Sequence, residues 1–206
     1  MGFYSRYIEP AVVSLACQTP PISRMREAVA PHAHGRVLEV GFGSGLNLRH
    51  YAPGRVERLF ALEPNEAMRR RARRRVDKAP FPIEFLDLPG EEIPLDDASV
   101  DSVLITFTMC TIPDVAKAID GMRRVLKPGG RMYFCEHGRA PDAGVAKWQD
   151  RLNPIWGRLA GGCNLNRKID ALIEGGGFAF DELACEYVRG APKFAGFMYW
   201  GAARPR

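Results

Sequence analysis

Apolar positions follow two rhythms along the chain. Phe3, Tyr4, Tyr7, Ile8, Ala11, Val12 and Leu15 recur at helical spacing, and Pro20-Pro21 end that stretch. A second helical stretch over 22–30 stops at Pro31. RVLEVGFGSG then reads as a buried strand running into a glycine turn, with LNLRHY opening a helix. RLFALEP is a second strand, followed by the helix AMRRRARRRVDK, whose Met68, Ala72 and Val76 share one face. IEFLDL is a third strand and SVDSVLITFTM a fourth. PDVAKAIDGMRRVLKPGG is a helix with a glycine stop, and RMYFCEH is the fifth strand. Helical patterns over 143–159 and 167–174 lead to Gly175-Gly176-Gly177, and strands over 178–188 and 193–202 close the chain.

Strands alternating with helices predict an α/β, doubly wound, Rossmann-like sheet, mostly parallel, with helices on both faces. The last two strands have no helix between them, which predicts an antiparallel hairpin. With no repeat and no low-complexity linker, residues 1–206 are expected to form a single domain. A helical cap is expected over 1–30 and a helical substrate-side segment over 138–177.

A hydrophobic fraction of 46% with 26% charged residues excludes a disordered or fibrous chain. No apolar run approaches the roughly 20 residues of a membrane span. MGFYSRYIEP lacks the apolar core and cleavage site of a secretory signal. Cys17, Cys110, Cys135, Cys163 and Cys185 are odd in number and scattered, with no C-x-x-C pair and no accompanying His cluster. That pattern predicts no disulfide framework, no metal site and a reducing, cytoplasmic compartment. The net charge of +5 is concentrated at Arg69 to Arg71 and Arg73 to Arg75. This face is either a solvated helix surface or a patch for peripheral contact with anionic membrane. The lack of interleaved aromatics speaks against nucleic acid.

The most informative stretch is Glu39-Val40-Gly41-Phe42-Gly43-Ser44-Gly45. Its glycines let the chain turn off the first strand and let backbone approach a ligand. Glu63 ends the second strand about 20 residues on, where a carboxylate accepts from ribose hydroxyls. The spacing is G-x-G-x-G with Glu39 just before it. A pyrophosphate wants an anion nest, whereas an acid beside the loop suits a ligand bearing an ammonium group. S-adenosyl-L-methionine (SAM) carries ribose, adenine, an ammonium and a sulfonium without phosphate, and is the expected cofactor.

VLEVGFGSGLNL, ALEPNEAM, IPLDDASVDSV and MRRVLKPGGRMYF together resemble the class I SAM-dependent methyltransferases of the type 11 group, in that family's order over about residues 36–136. The resemblance implies a seven-stranded sheet with its last strand antiparallel. It also implies methyl transfer from SAM, with Gly41, Gly43 and Gly45 against the methionine part and Glu63 at the ribose. Glu39, Asn47, Pro64 and Thr106 complete the expected cofactor set. Many relatives place an aspartate after the third strand to hold the adenine amino group. Here that stretch is Leu88-Pro89-Gly90-Glu91, so Gly90 or Glu91 would serve, with Asp87 earlier in the chain.

A narrower resemblance follows the fifth strand. CEHGRAPDAGVAKWQDRLNPIWGRLAGGCNLNR is similar to a segment of the methyltransferase-like proteins that methylate alkyl thiols and hydrogen sulfide, and Thr106 and Cys110 match that group too. The implied acceptor is a small thiol or sulfide. The expected acceptor-side residues are Tyr4, Tyr7, Met109, Trp148, Trp156, Cys163, Asn164 and Arg167, the tryptophans otherwise filling a helix core. Methyl transfer needs a lone pair in line with the sulfonium carbon, so placement supplies much of the rate. His137, beside Glu136 at the end of the fifth strand, is the expected proton acceptor, with Glu136 orienting it. The alternative for His137 is a tie to Arg167 or Asn164 within the loops. Two further readings stand beside this one: a phospholipid or quinone methyltransferase at a membrane surface, and a SAM-binding regulator without catalysis.

Overall fold

The structure, a computed structural model, describes residues 19–206. Tyr4, Tyr7 and most of the expected N-terminal cap lie outside them. Helix α1 (Pro20–Glu27) opens with proline in its first turn, where a missing N–H costs nothing. Strands β1 (Gly35–Val40) and β2 (Val56–Leu62) follow, then helix α2 (Glu66–Val76) and strand β3 (Ile83–Leu86). Next come β4 (Val100–Thr106), α3 (Val115–Val125) and β5 (Leu126–His137). Helices α4 (Ala143–Leu159) and α5 (Ile169–Gly175) lead to β6 (Phe178–Tyr187) and β7 (Phe197–Pro205).

The strands form one seven-stranded sheet in the order β3-β2-β1-β4-β5-β7-β6. β1 to β5 pair in parallel, while β7 runs antiparallel to both its neighbours, as the paired last strands predicted. Both faces are buried. Leu38, Ile105 and Phe134 point into one core with α3 and α5, and their neighbours Val37, Leu104 and Cys135 into the other, with Ala72 of α2. That alternation is the period of two, applied to strands covered on both sides. The chain leaves β1 toward β2 and returns for β4 on β1's other side. The crevice beyond β1 and β4 is therefore the topological switch point where such sheets hold ligands.

Three elements differ from the sequence reading. No α-helix forms from LNLRHY. Leu48 N–H donates to Gly45 O (3.3 Å) and His50 N–H to Asn47 O (2.8 Å), the bonds of successive tight turns. Gly43 and Gly45, at φ +58° and +74°, hold the chain out of the helical register just before. β5 begins at Leu126 rather than 131, because the Lys-Pro-Gly-Gly turn is an irregularity inside the strand, between the Val100–Leu126 and Ser102–Arg131 pairs. The last strand begins at Phe197 rather than 193.

The arginine-rich α2 starts at Asn65, whose side chain accepts from Ala67 and Met68 N–H. Its arginines do different things. Arg69 donates to Glu63 O (2.5 Å) and pairs with Asp87, and Arg75 donates to Ser44 O (3.0 Å). Arg71, Arg73 and Arg74 are exposed. Among the described residues no helix is long and apolar enough to cross a membrane.

Candidate functional site

The site begins where the glycine turn after β1 meets the turn after β4. Gly41 has φ +73°, and a Cβ there would lie 2.1 Å from Thr108 Oγ1, so only glycine lets the two turns close on each other. Across from it Phe107 is held at φ +55°, an unfavourable conformation for a bulky side chain. Glu136, at the end of β5, over-determines that turn. Both of its carboxylate oxygens accept from Thr108 N–H, at 2.8 and 3.0 Å, and Met109 N–H also donates to it. Glu136 is fully buried, and burial pushes its carboxyl up to about 7 despite those bonds.

Between the two turns lies a cavity of about 260 Å³. Gly41, Phe42, Gly43 and Ser44 form one side; Glu63, Pro64 and Met68 form the end toward β2; Pro89, Gly90 and Glu91 come from the loop after β3. Thr106, Phe107, Thr108, Thr111 and Ile112 form the opposite wall. Glu63 accepts from Gly43 N–H and Asn65 N–H, both at 2.8 Å, which fixes its carboxylate at the cavity edge. Burial raises its pKa, the two backbone bonds opposing the shift. Asp87 is not in the lining; Arg69 engages it.

One wall residue carries no sequence signal. Arg26 of α1 is 5% exposed and lines the cavity. Its Nη1 donates to Asn47 Oδ1 (2.9 Å) and Thr106 Oγ1 (2.5 Å), its guanidinium lies 4.8 Å from the Phe107 ring centre, and its Nε is buried without a partner among the described residues. Nothing local distinguishes this arginine from its neighbours. Only the fold carries it to residues 21 and 80 positions away.

Glu39 sits differently from its sequence assignment. It is 1% exposed and outside the cavity wall, with Oε1 taken by Asn47 Nδ2 (2.9 Å) and Oε2 by Tyr51 OH (2.6 Å). Burial pushes its carboxyl up to about 7 against those hydrogen bonds. It braces the glycine turn from behind. Gly45 and Asn47 are likewise outside the cavity lining.

The acceptor-side residues also separate. Met109 is fully buried and away from the wall. Trp148 is 58% exposed beside Arg151, so it neither walls the cavity nor fills a core: its position on α4 faces outward. Arg167 donates to the carbonyls of Met109 and Ile112, and Asn164 Nδ2 donates to Cys110 O (2.9 Å), tying the segment after α4 to the turn after β4. His137 does not bond to either of them. Its Nε2 lies 3.2 Å from Cys163 Sγ, and Trp156 Nε1 donates to the same sulfur at 3.4 Å. Cys110 completes the group, the donor atoms of Cys110, His137 and Cys163 lying within 4.8 Å of one another. The sheet thus brings together one histidine and two cysteines that sequence spacing keeps apart. Hydrogen bonding from Cys110, then from His137, pulls the Cys163 thiol down to about 4 against burial. Burial opposes a charged His137 imidazole, but the bond to Cys163 outweighs it and raises its pKa. His137 Nδ1 is buried with no partner among the described residues.

A glycine turn, a buried carboxylate at the end of β2 and a cavity at the switch point of a sheet with this strand order together make the frame of a site for a ribose-bearing ligand. The Methyltransferase domain family matches residues 38–134. Thiol S-methyltransferase TMT1B of Homo sapiens is 33% identical over 153 residues, covering 71% of this chain and 62% of that protein. Thiol S-methyltransferase TMT1A of Homo sapiens is 30% identical over 187 residues, covering 89% and 72%. Demethylmenaquinone methyltransferase of Clavibacter sepedonicus is 34% identical over 114 residues, 55% of this chain and 46% of that one. In fold, the chain matches a Thermotoga maritima SAM-dependent methyltransferase described as a possible histamine N-methyltransferase, with a TM-score of 0.68, 19% identity and 98% coverage of each chain. The chain belongs to the SAM-dependent methyltransferase family, and its cofactor is S-adenosyl-L-methionine.

Proposed function

We propose that this chain transfers the methyl group of SAM to a small thiol or sulfide. The observation that carries the reading is the wall facing the glycine turn: Phe107, Thr108, Thr111 and Ile112 offer apolar and hydroxyl surface, with Arg26 as their charged neighbour at Phe107. Such a wall suits a small, soft, weakly hydrated nucleophile better than an amine or phosphate. Relatives named thiol S-methyltransferases, 33% and 30% identical to this chain, support the acceptor class.

Arg26 pairs with the cofactor's carboxylate through its Nε, which has no partner among the described residues, and Glu63 holds the ribose hydroxyls. Gly90 and Glu91 flank the adenine. Glu136 and His137 do not line the cavity. We assign them as positioning residues that act through the turn over 107–113, Glu136 by its bonds to Thr108 and His137 by its contact with Cys163.

The test is an acceptor panel of alkyl thiols, hydrogen sulfide, amines, phenols and a demethylated quinol in vesicles, read as demethylated cofactor formed. Turnover with thiols or sulfide at least ten times that with the others is expected. The quinone-methylating relatives give a second reading a definite outcome: turnover confined to the vesicle-borne quinol would replace the thiol assignment.

A further inference from the structure

The contact of Cys110, His137 and Cys163 is more than a packing detail. The three residues come from separate elements: the turn after β4, the last residue of β5 and the loop after α4. Each is independently anchored. Asn164 N–H and Nδ2 both donate to Cys110 O at 2.9 Å, which stitches the two cysteine segments together. β5 is clamped between β4 and β7. Preorganised donors of this kind are what a metal site requires.

The distances suit one ion class. Zinc bonds of about 2.3 Å to sulfur and 2.0–2.1 Å to nitrogen put neighbouring donors about 3.5–3.8 Å apart in a tetrahedron. The three donor atoms here lie within 4.8 Å of one another, with His137 Nε2 and Cys163 Sγ at 3.2 Å. Seating the ion takes a donor movement of at most about 1 Å. Two sulfurs and an imidazole, with no carboxylate in the group, select a soft transition metal over magnesium or calcium. Trp156 Nε1, at 3.4 Å from Cys163 Sγ, supplies the kind of outer hydrogen bond that tunes a ligating thiolate.

We propose that Cys110, His137 and Cys163 form a three-ligand site for one soft divalent ion of the zinc type, with the fourth position left to an exogenous ligand. Binding releases to solvent whichever protons the two sulfurs and His137 Nε2 carry and forms two metal–sulfur bonds and one metal–nitrogen bond, with no redox change. The ion ties the turn over 107–113, which walls the cavity, to β5 and to the segment after α4. The site stands on donor geometry and holds whether or not the acceptor is a thiol.

The test is anaerobic titration of the full chain, stripped of metal and kept reduced, with cobalt(II). One equivalent is expected to saturate a thiolate-to-cobalt charge-transfer band together with visible bands of tetrahedral intensity, and zinc is expected to displace both. Cys110→Ser and Cys163→Ser should each lose charge-transfer intensity and bind at least tenfold more weakly. Cys185→Ser, at an exposed position on β6, should match the unaltered protein. SAM binding is measured on every variant to show that it is folded. Absence of the charge-transfer band in protein that binds SAM overturns the site, as does unchanged cobalt binding in a SAM-binding Cys163→Ser variant. Thiol methylation by the metal-free protein would leave the acceptor assignment untouched, and cobalt binding without any thiol turnover would leave the site untouched, so the two fail separately.

Discussion

Arg26 and Glu39 show how individual residues acquire roles from burial rather than from motif. Arg26 is buried in the cavity wall with an Nε that has no partner among the described residues, a costly state that, in the proposed reading, the cofactor's carboxylate relieves. Arg26→Met should therefore weaken SAM binding by about tenfold to a hundredfold, the range for a lost charge-assisted pair of ~1.5–3 kcal/mol. Calorimetric titration checks it, and affinity within twofold of the unaltered protein would remove the assignment. Glu39 carries a pH dependence. Its carboxyl titrates at about 7 when folded, against 4.5 in the unfolded chain. Between those values the folded state holds the extra proton, so its contribution to stability is full below the unfolded pKa and is lost as pH rises through 7. The melting temperature of the cofactor-free protein should fall from pH 5 to pH 8. Glu39→Gln should flatten that slope by roughly one proton's contribution, about 1–3 kcal/mol over the window. A slope identical in the variant would show that other groups carry it.

At the scale of elements, the strands and the glycine turn were legible because their signals are local: apolar runs for β1, β2 and β4, and φ > 0 positions that glycine fills. Glu63 was legible for the same reason, since its place at the end of β2 is a matter of chain distance. What sequence spacing hid are contacts across elements. Cys110, His137 and Cys163 are 27 and 26 residues apart, and only pairing of β4 with β5 brings the first two together. The enclosure of Glu39 by Tyr51 depends on a run of tight turns that apolar periodicity reads as a helix. In the proposed reading, Glu136 and His137 act through the turn over 107–113. His137→Gln should lower kcat about tenfold while SAM affinity stays within twofold, because the change loosens the turn's support and spares the cofactor contacts. A matching loss in SAM affinity would mark His137 as a general structural residue instead.

Across the whole molecule, one sheet sets the chemistry. Five parallel strands aim β1 and β4 at a shared crevice, the antiparallel β7 closes β5 on its other side, and α2 braces the cofactor turns through Arg69 and Arg75. In the proposed reading, that arrangement delivers a methyl cation equivalent to a nucleophile admitted at the wall of Phe107, Thr108, Thr111 and Ile112, and placement supplies much of the rate. The sulfur acceptor is tested most directly by following the methyl itself. With SAM bearing a deuterated methyl group and a simple alkyl thiol or hydrogen sulfide, mass spectrometry should find the three deuterium atoms in a methyl thioether or methanethiol, in amounts matching the demethylated cofactor. Label on a quinol carbon, or cofactor consumed with no labelled sulfur product, would contradict it.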